Sequence, residues 1–193
     1  AQAALPLFSP VSYRQNVRIG REVEATFYDA GHVLGSSMIE VSLGQGAEKE
    51  TIIFSGDVGR WHKAMLHDPN VFRKADYLVV ESTYGDRVHE DPAGIMDMLT
   101  EIVNSTHQAG GNIVVPSFAL QRTQEVLYYL NELLLKDRVP HLLVFLDSPL
   151  AISITEVYKR HSELFDEKMA KLFRRHQSPF DFPGLKMVQV VDE

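Results

Sequence analysis

Cysteine is absent from this chain. Its absence excludes a disulfide framework and every thiolate metal site, leaving histidine and carboxylate as the strong ligand types. That usage fits a cytoplasmic protein. No apolar run approaches the roughly 20 residues that a bilayer span requires, and the opening AQAALPLFSP has no basic leader region, so neither a membrane anchor nor a signal peptide is expected. Positive charge is scarce as well, with 19 Lys and Arg against 26 Asp and Glu and a net charge of -7. Such a balance excludes affinity built on broad neutralisation of phosphates, so any contact with nucleic acid must be local. The acidic excess is what bound divalent ions would offset, and a solvated acidic surface accounts for it equally well. No internal repeat or low-complexity tract is present. What remains is 193 residues of 45% apolar composition, enough for one good core or two small ones.

From Glu22 to Asp57 the pattern is that of strands. EVEATFYDA and MIEVSL alternate apolar and polar residues, TIIFSGD is a short apolar run, and GQGAEKE is the turn between the last two. ADYLVVESTYG adds a further strand. The period then changes, and DPAGIMDMLTEIVNSTHQAG places Ile95, Met98, Leu99, Ile102 and Val103 at helical spacing. Asp91 is the expected N-cap there, with Pro92 at the first helical position and Gly110 beyond the end. GNIVVPSF as strand, LQRTQEVLYYLNELLLK as helix, HLLVFLDSP as strand and AISITEVYKRHSELF as helix complete an alternation that predicts crossover units and a parallel sheet. A boundary is expected near residues 86 to 92, between a β-rich piece and an α/β piece. The chain opens without Met in loop-like sequence, and LKMVQVVDE closes it as a strand with nothing after it to pair, so a fragment of a longer polypeptide is expected.

Three polar residues follow apolar strands and precede small or glycine-bearing turns: His32 in DAGHVLGSS, Asp57 in FSGDVGR and Glu81 in VVESTYGDR. Their placement aims all three at one end of a sheet. An imidazole and a carboxylate suit zinc where no thiolate exists, and a further acid beside them can orient a histidine or take part in proton transfer. A turn histidine and a turn-forming Asp after Gly are the plain structural alternatives. The other histidines, His62, His67, His89, His107, His141, His161 and His176, show no ligand spacing and read as surface residues. KLFRRH, from Lys171 to His176, reads as a solvated helix face rather than an RNA track, because no stacking aromatics interleave with its charges.

The segments DAGHVLGSS, FSGDVGR, ESTYGDR, VVPSFALQRTQE and LDSPLA follow one another as in the β-CASP branch of the metallo-β-lactamase fold. That group of metal-dependent nucleases includes ribonuclease J and the cleavage endonuclease of pre-mRNA 3′ processing, and the resemblance runs from about Pro10 to the end of the chain. It implies an α/β chain, α+β overall: residues 1–90 as the C-terminal part of a first metallo-β-lactamase segment of an αββα sandwich, and residues 91–193 as the N-terminal part of a parallel β-CASP domain. It further implies that His32 binds one zinc, that Asp57 bridges two zinc ions and serves catalysis with them, and that Glu81 supports a histidine acting as general acid. Ser117, Arg122 and Ser148 become candidate contacts to RNA phosphates, although pairing with Glu125 explains Arg122 equally well.

The implied activity is hydrolysis of single-stranded RNA by a dinuclear zinc centre. A departure limits it. The family's His-x-His-x-Asp-His motif should precede His32 and is not in this sequence, and the later histidine motifs should follow residue 193. The zinc site is therefore expected to be incomplete and the chain by itself inactive. A non-catalytic scaffold subunit of an RNA-processing complex and a small-molecule metallo-hydrolase are the alternatives, the latter disfavoured by the α/β segment after residue 91. Exposed strand edges of half a sandwich lead to a further expectation, a homo-oligomer formed through them.

Overall fold

Strands form where VEATFYD and SMIEVSL alternate, because a pleated chain sends successive side chains to opposite faces of the sheet. In a computed structural model the described residues are 2–89 and 92–188, and the chain divides into two units, residues 1–87 and 88–193. The first unit opens on a 3₁₀ turn at Gln2–Leu7. It then builds one five-stranded sheet from β1 (Asn16–Gly20), β2 (Val23–Asp29), β3 (Ser37–Leu43), β4 (Glu50–Phe54) and β5 (Tyr77–Val79). The strands lie in sequence order, and each neighbouring pair is antiparallel except β4 and β5, which run parallel.

Register decides what this sheet presents. Asp29 is opposite Ser37, Ile39 is opposite Phe54, and Phe54 is opposite Val79. The C-terminal ends of β2, β4 and β5 therefore lie at the same end of the sheet. Ala25, Met38 and Ile53 are buried in the strands, and Met65 and Leu66 are buried in the long connection between β4 and β5. Tyr28 and Phe72 meet edge to face at 4.9 Å between ring centroids, which ties that connection to β2. Tyr77, Leu78 and Val79 on the edge strand β5 are all exposed.

In the second unit, α1 (Ile95–Gln108) follows a 3₁₀ turn at Pro92–Gly94. The expected cap Asp91 lies outside the described residues. Val103 of α1 packs with Leu133 and Val139, and Met96 and Leu99 join them while Met98 and Ile102 stay exposed. The buried stripe is thus Met96, Leu99 and Val103, one step round the helix from part of the expected set. Three more helices follow: α2 (Arg122–Leu135), α3 (Pro149–Arg160) and α4 (Glu167–Arg174). Two short strands, β6 (Val144–Leu146) and β7 (Leu185–Met187), pair in parallel. Tyr158, Phe165, Phe173 and Phe180 form an aromatic cluster that joins α3 and α4 to the segment before β7.

One expectation is corrected. The strand expected at 111–118 makes no ladder among the described residues, and Ile113, Val114 and Val115 are exposed. A β-branched run forms a strand only beside an edge that takes its hydrogen bonds, and Pro116 has no N–H to give. The closing strand pairs with the earlier β6 through Leu185–Met187. No helix among the described residues is long and apolar enough to cross a membrane.

Candidate functional site

His32 is held by the turn that carries the chain from β2 into β3. Asp29 Oδ1 accepts the Gly31 N–H at 2.8 Å, and Ser36 Oγ accepts the N–H groups of His32 and Val33 at 3.1 and 3.2 Å. Gly31 has φ +61°, and a Cβ there would come within 2.9 Å of the His67 carbonyl, so only glycine fits. Lys63 Nζ donates to the His32 carbonyl at 2.6 Å. With the backbone of His32 occupied in this way, the imidazole is free to project from the end of the sheet.

Asp57 leaves β4 on the same side. The Ser55 N–H donates to the Val79 carbonyl at 2.9 Å, which holds the end of β4 against β5, and the Asp57 side chain beyond it is 71% exposed. His32 Nε2 and Asp57 Oδ2 are 4.0 Å apart. That is beyond a hydrogen bond, so neither donor atom saturates the other.

Glu81 completes the group from the end of β5. Its N–H donates to Ser55 Oγ at 3.1 Å, and its Oε1 accepts the Val58 N–H at 2.6 Å. The Val58 N–H holds the Glu81 carboxyl below the usual carboxylate range, with help from the Thr83 hydroxyl and from His32. Glu81 is thereby kept ionised, bonded to the residue after Asp57 and within electrostatic reach of His32. The structure brings His32 and Asp57 to 4.0 Å of each other and keeps Glu81 within electrostatic reach of His32.

A zinc ion holds nitrogen and oxygen ligands at about 2.0–2.2 Å, which places tetrahedral ligands about 3.4 Å apart. His32 and Asp57 need only a small inward movement to meet that spacing. They fit two positions of a tetrahedral site and do not fill it, since no group of three or more His, Asp and Glu side chains able to hold a metal occurs among the described residues. Glu81 is turned to the Val58 N–H instead. Lys63, Ser36 and Ser55, which fix this geometry, were not singled out in the sequence because they act through backbone groups and not as ligands or acids.

In the second unit, the polar candidates are differently employed. Ser148 is the N-cap of α3, its Oγ accepting the Ala151 N–H at 3.2 Å. Arg122, the first residue of α2, is exposed, with Nε 3.6 Å from Glu125 Oε2. Ser117 is exposed, and its Oγ lies 3.5 Å from the Phe118 carbonyl.

The Beta-Casp domain model matches residues 123–193. Over that stretch the chain is similar to the β-CASP family. The resemblance carried by its five segments is therefore borne out. Ribonuclease TTHA0252 of Thermus thermophilus is 34% identical over 188 residues, covering 97% of this chain and 42% of that protein. Transcription termination factor FttA of Methanosarcina mazei is 33% identical over 177 residues, with 89% of this chain and 27% of that protein covered. Endoribonuclease YSH1 of Eremothecium gossypii is 31% identical over 192 residues, covering 95% and 24%. The chain spans less than half the length of these relatives.

Proposed function

We propose that this chain contributes part of the catalytic centre of a metal-dependent ribonuclease acting on single-stranded RNA. The observation that carries the reading is the placement of His32, Asp57 and Glu81 at the ends of β2, β4 and β5, in a chain whose relatives are named ribonuclease and endoribonuclease. Residues 1–90 are read as a metallo-β-lactamase segment, which the mixed sheet with its polar strand ends supports. Residues 91–193 are read as part of a β-CASP domain.

His32 and Asp57 are the residues that would hold zinc. Bound zinc would lower the pKa of a coordinated water toward 7 and offset charge on the phosphoryl oxygens. Asp57 presents its carboxylate to solvent with no bond that must break first. Glu81 supplies a fixed negative charge beside His32 and so orients the imidazole. Ser117, Arg122 and Ser148 stay as candidates for phosphate contact; the Ser148 oxygen accepts the Ala151 N–H, which leaves its O–H to donate.

With two ligands supplied, this chain by itself is expected to bind zinc weakly and to leave RNA intact. Isothermal titration with zinc and a single-turnover cleavage assay check both. Stoichiometric tight zinc together with cleavage would show that the donor set counted above is wrong. In a protein carrying this chain together with the paired-histidine motif, Asp57→Ala should slow cleavage of single-stranded RNA by more than the roughly 100-fold that loss of a supporting residue costs. Cleavage at the unaltered rate would remove Asp57 from the site and overturn the assignment.

A further inference from the structure

The connection between β4 and β5 contains a feature that metal binding does not use. Trp61 is the only tryptophan of the chain, and it is 55% exposed. Tryptophan is ordinarily highly buried, and leaving its ring in water forgoes a large apolar gain.

The exposure is imposed by the fold rather than by a loose loop. On one side the Gly59 N–H donates to the Ala30 carbonyl at 2.7 Å. On the other side Lys63 Nζ donates to the His32 carbonyl at 2.6 Å, and between them the His62 N–H donates to Asp68 Oδ1 at 2.6 Å. Met65 and Leu66 are buried just beyond. A short arc, Arg60, Trp61 and His62, is thus pinned at both ends to the turn that carries His32, and all three of its residues are exposed. Trp61 is two residues from each pin, so its backbone stays within about 7 Å along the chain of groups bonded to the His32 turn. The indole is exposed on an arc whose flanking residues are bonded to the His32 turn.

We propose that Trp61 is a stacking platform for a base of single-stranded RNA, placed next to the hydrolytic centre so that the strand is held across it. This rests on the reading given under the proposed function. An aromatic face gains its affinity from the π-surface of a base, without using charge and without regard to sequence. A chain of net charge -7 cannot hold a strand through a broad basic face. Stacking at a fixed point, with Arg60 and His62 on either side, is the local contact that such a chain can make.

As the sole tryptophan, Trp61 reports on its own occupancy. The full chain is titrated with a short single-stranded oligoadenylate bearing a red terminal dye. Dye anisotropy reads binding, and tryptophan emission reads contact with position 61. The expected result is saturable quenching with the same midpoint as the anisotropy change. Trp61→Ala should weaken binding about tenfold, and Trp61→Phe, which keeps a ring to stack, should stay within about threefold of the unaltered chain. Because stacking releases no counterions, the salt dependence of the remaining binding should be the same in Trp61→Ala. Binding with unmoved emission and unaltered affinity in Trp61→Ala would overturn the platform and leave the ribonuclease reading standing. No binding of the oligonucleotide at any concentration would overturn both.

Discussion

The two units spend their polar side chains in opposite ways. In the second, Tyr158 Oη donates to Gln121 Oε1 at 2.6 Å, Gln121 Nε2 donates to Glu125 Oε1 at 3.0 Å, and Gln124 Nε2 donates to Thr155 Oγ1 at 2.9 Å. All of these groups are buried, and Gln124 and Thr155 have no exposed surface at all. In the first, the Asp57 carboxylate is open to solvent and has no nearer partner among the described residues than an imidazole 4.0 Å away. A lost hydrogen bond between buried atoms is not replaced by water, so this network, complete but for the unpartnered Gln124 Oε1, helps to keep α2 and α3 together. The His32 turn spends its bonds on the backbone and leaves the side chain unspent. A polar group whose position is fixed while its own bonds remain open is the better candidate for chemistry.

The contrast breaks most visibly at Gly59. A Cβ there would lie 1.8 Å from the Gly31 carbonyl oxygen, an overlap with backbone that no side-chain rotation relieves. Gly59→Ala should destabilise the first unit by about 3 kcal/mol or more. Urea denaturation checks this, with Trp61 emission as the probe of that unit. A midpoint like that of the unaltered chain would show that the His32 turn and the Arg60 arc are not packed as described. Tyr158→Phe is the matching test of the second unit. It removes a buried donor from Gln121 Oε1 and should cost about 1–2 kcal/mol, read from the helical circular dichroism in the same titration. A neutral result would mean that Gln121 finds another partner and that the network holds less than its geometry implies.

Much of this arrangement was legible in the sequence. The strands β2 and β3 follow from alternation and β4 from a short apolar run, and α2 and α3 follow from helical period, although α3 begins at Pro149, two residues before its expected start. His32, Asp57 and Glu81 could be named because each is a polar residue directly beyond an apolar strand. Strand β1 was not read, because the turn joining it to β2 places Glu22 at φ +63°, where Gly or Asn would have signalled a hairpin. Residues 111–118 misled in the other direction. Their composition states that they are apolar and β-branched, and no local pattern states whether a partner edge lies beside them. Likewise nothing local showed that Ser148 would cap α3. Pairing and bond partners are properties of the folded neighbourhood, and they decide between structure and function for one and the same residue type.

Glu81 lies between the two kinds of polar group, since its carboxylate accepts a backbone N–H yet faces His32, and it predicts the smallest effect. Its folded pKa is depressed below the ordinary 4.5, first by the Val58 N–H. A depressed carboxylate stabilises the fold at pH values above its unfolded pKa, and that contribution is lost as the pH falls below 4.5 and through the folded value. Glu81→Gln keeps an oxygen for the Val58 N–H but carries no charge, so it should be less stable than the unaltered chain near neutral pH, and the gap should close on acidification. Urea midpoints of the two proteins, taken from neutral pH down through the carboxylate range, measure that closing gap directly and cancel the titration of the other acids. Parallel curves would mean that ionised Glu81 gains nothing from its neighbours in the fold, and would remove the fixed charge that is proposed to orient His32.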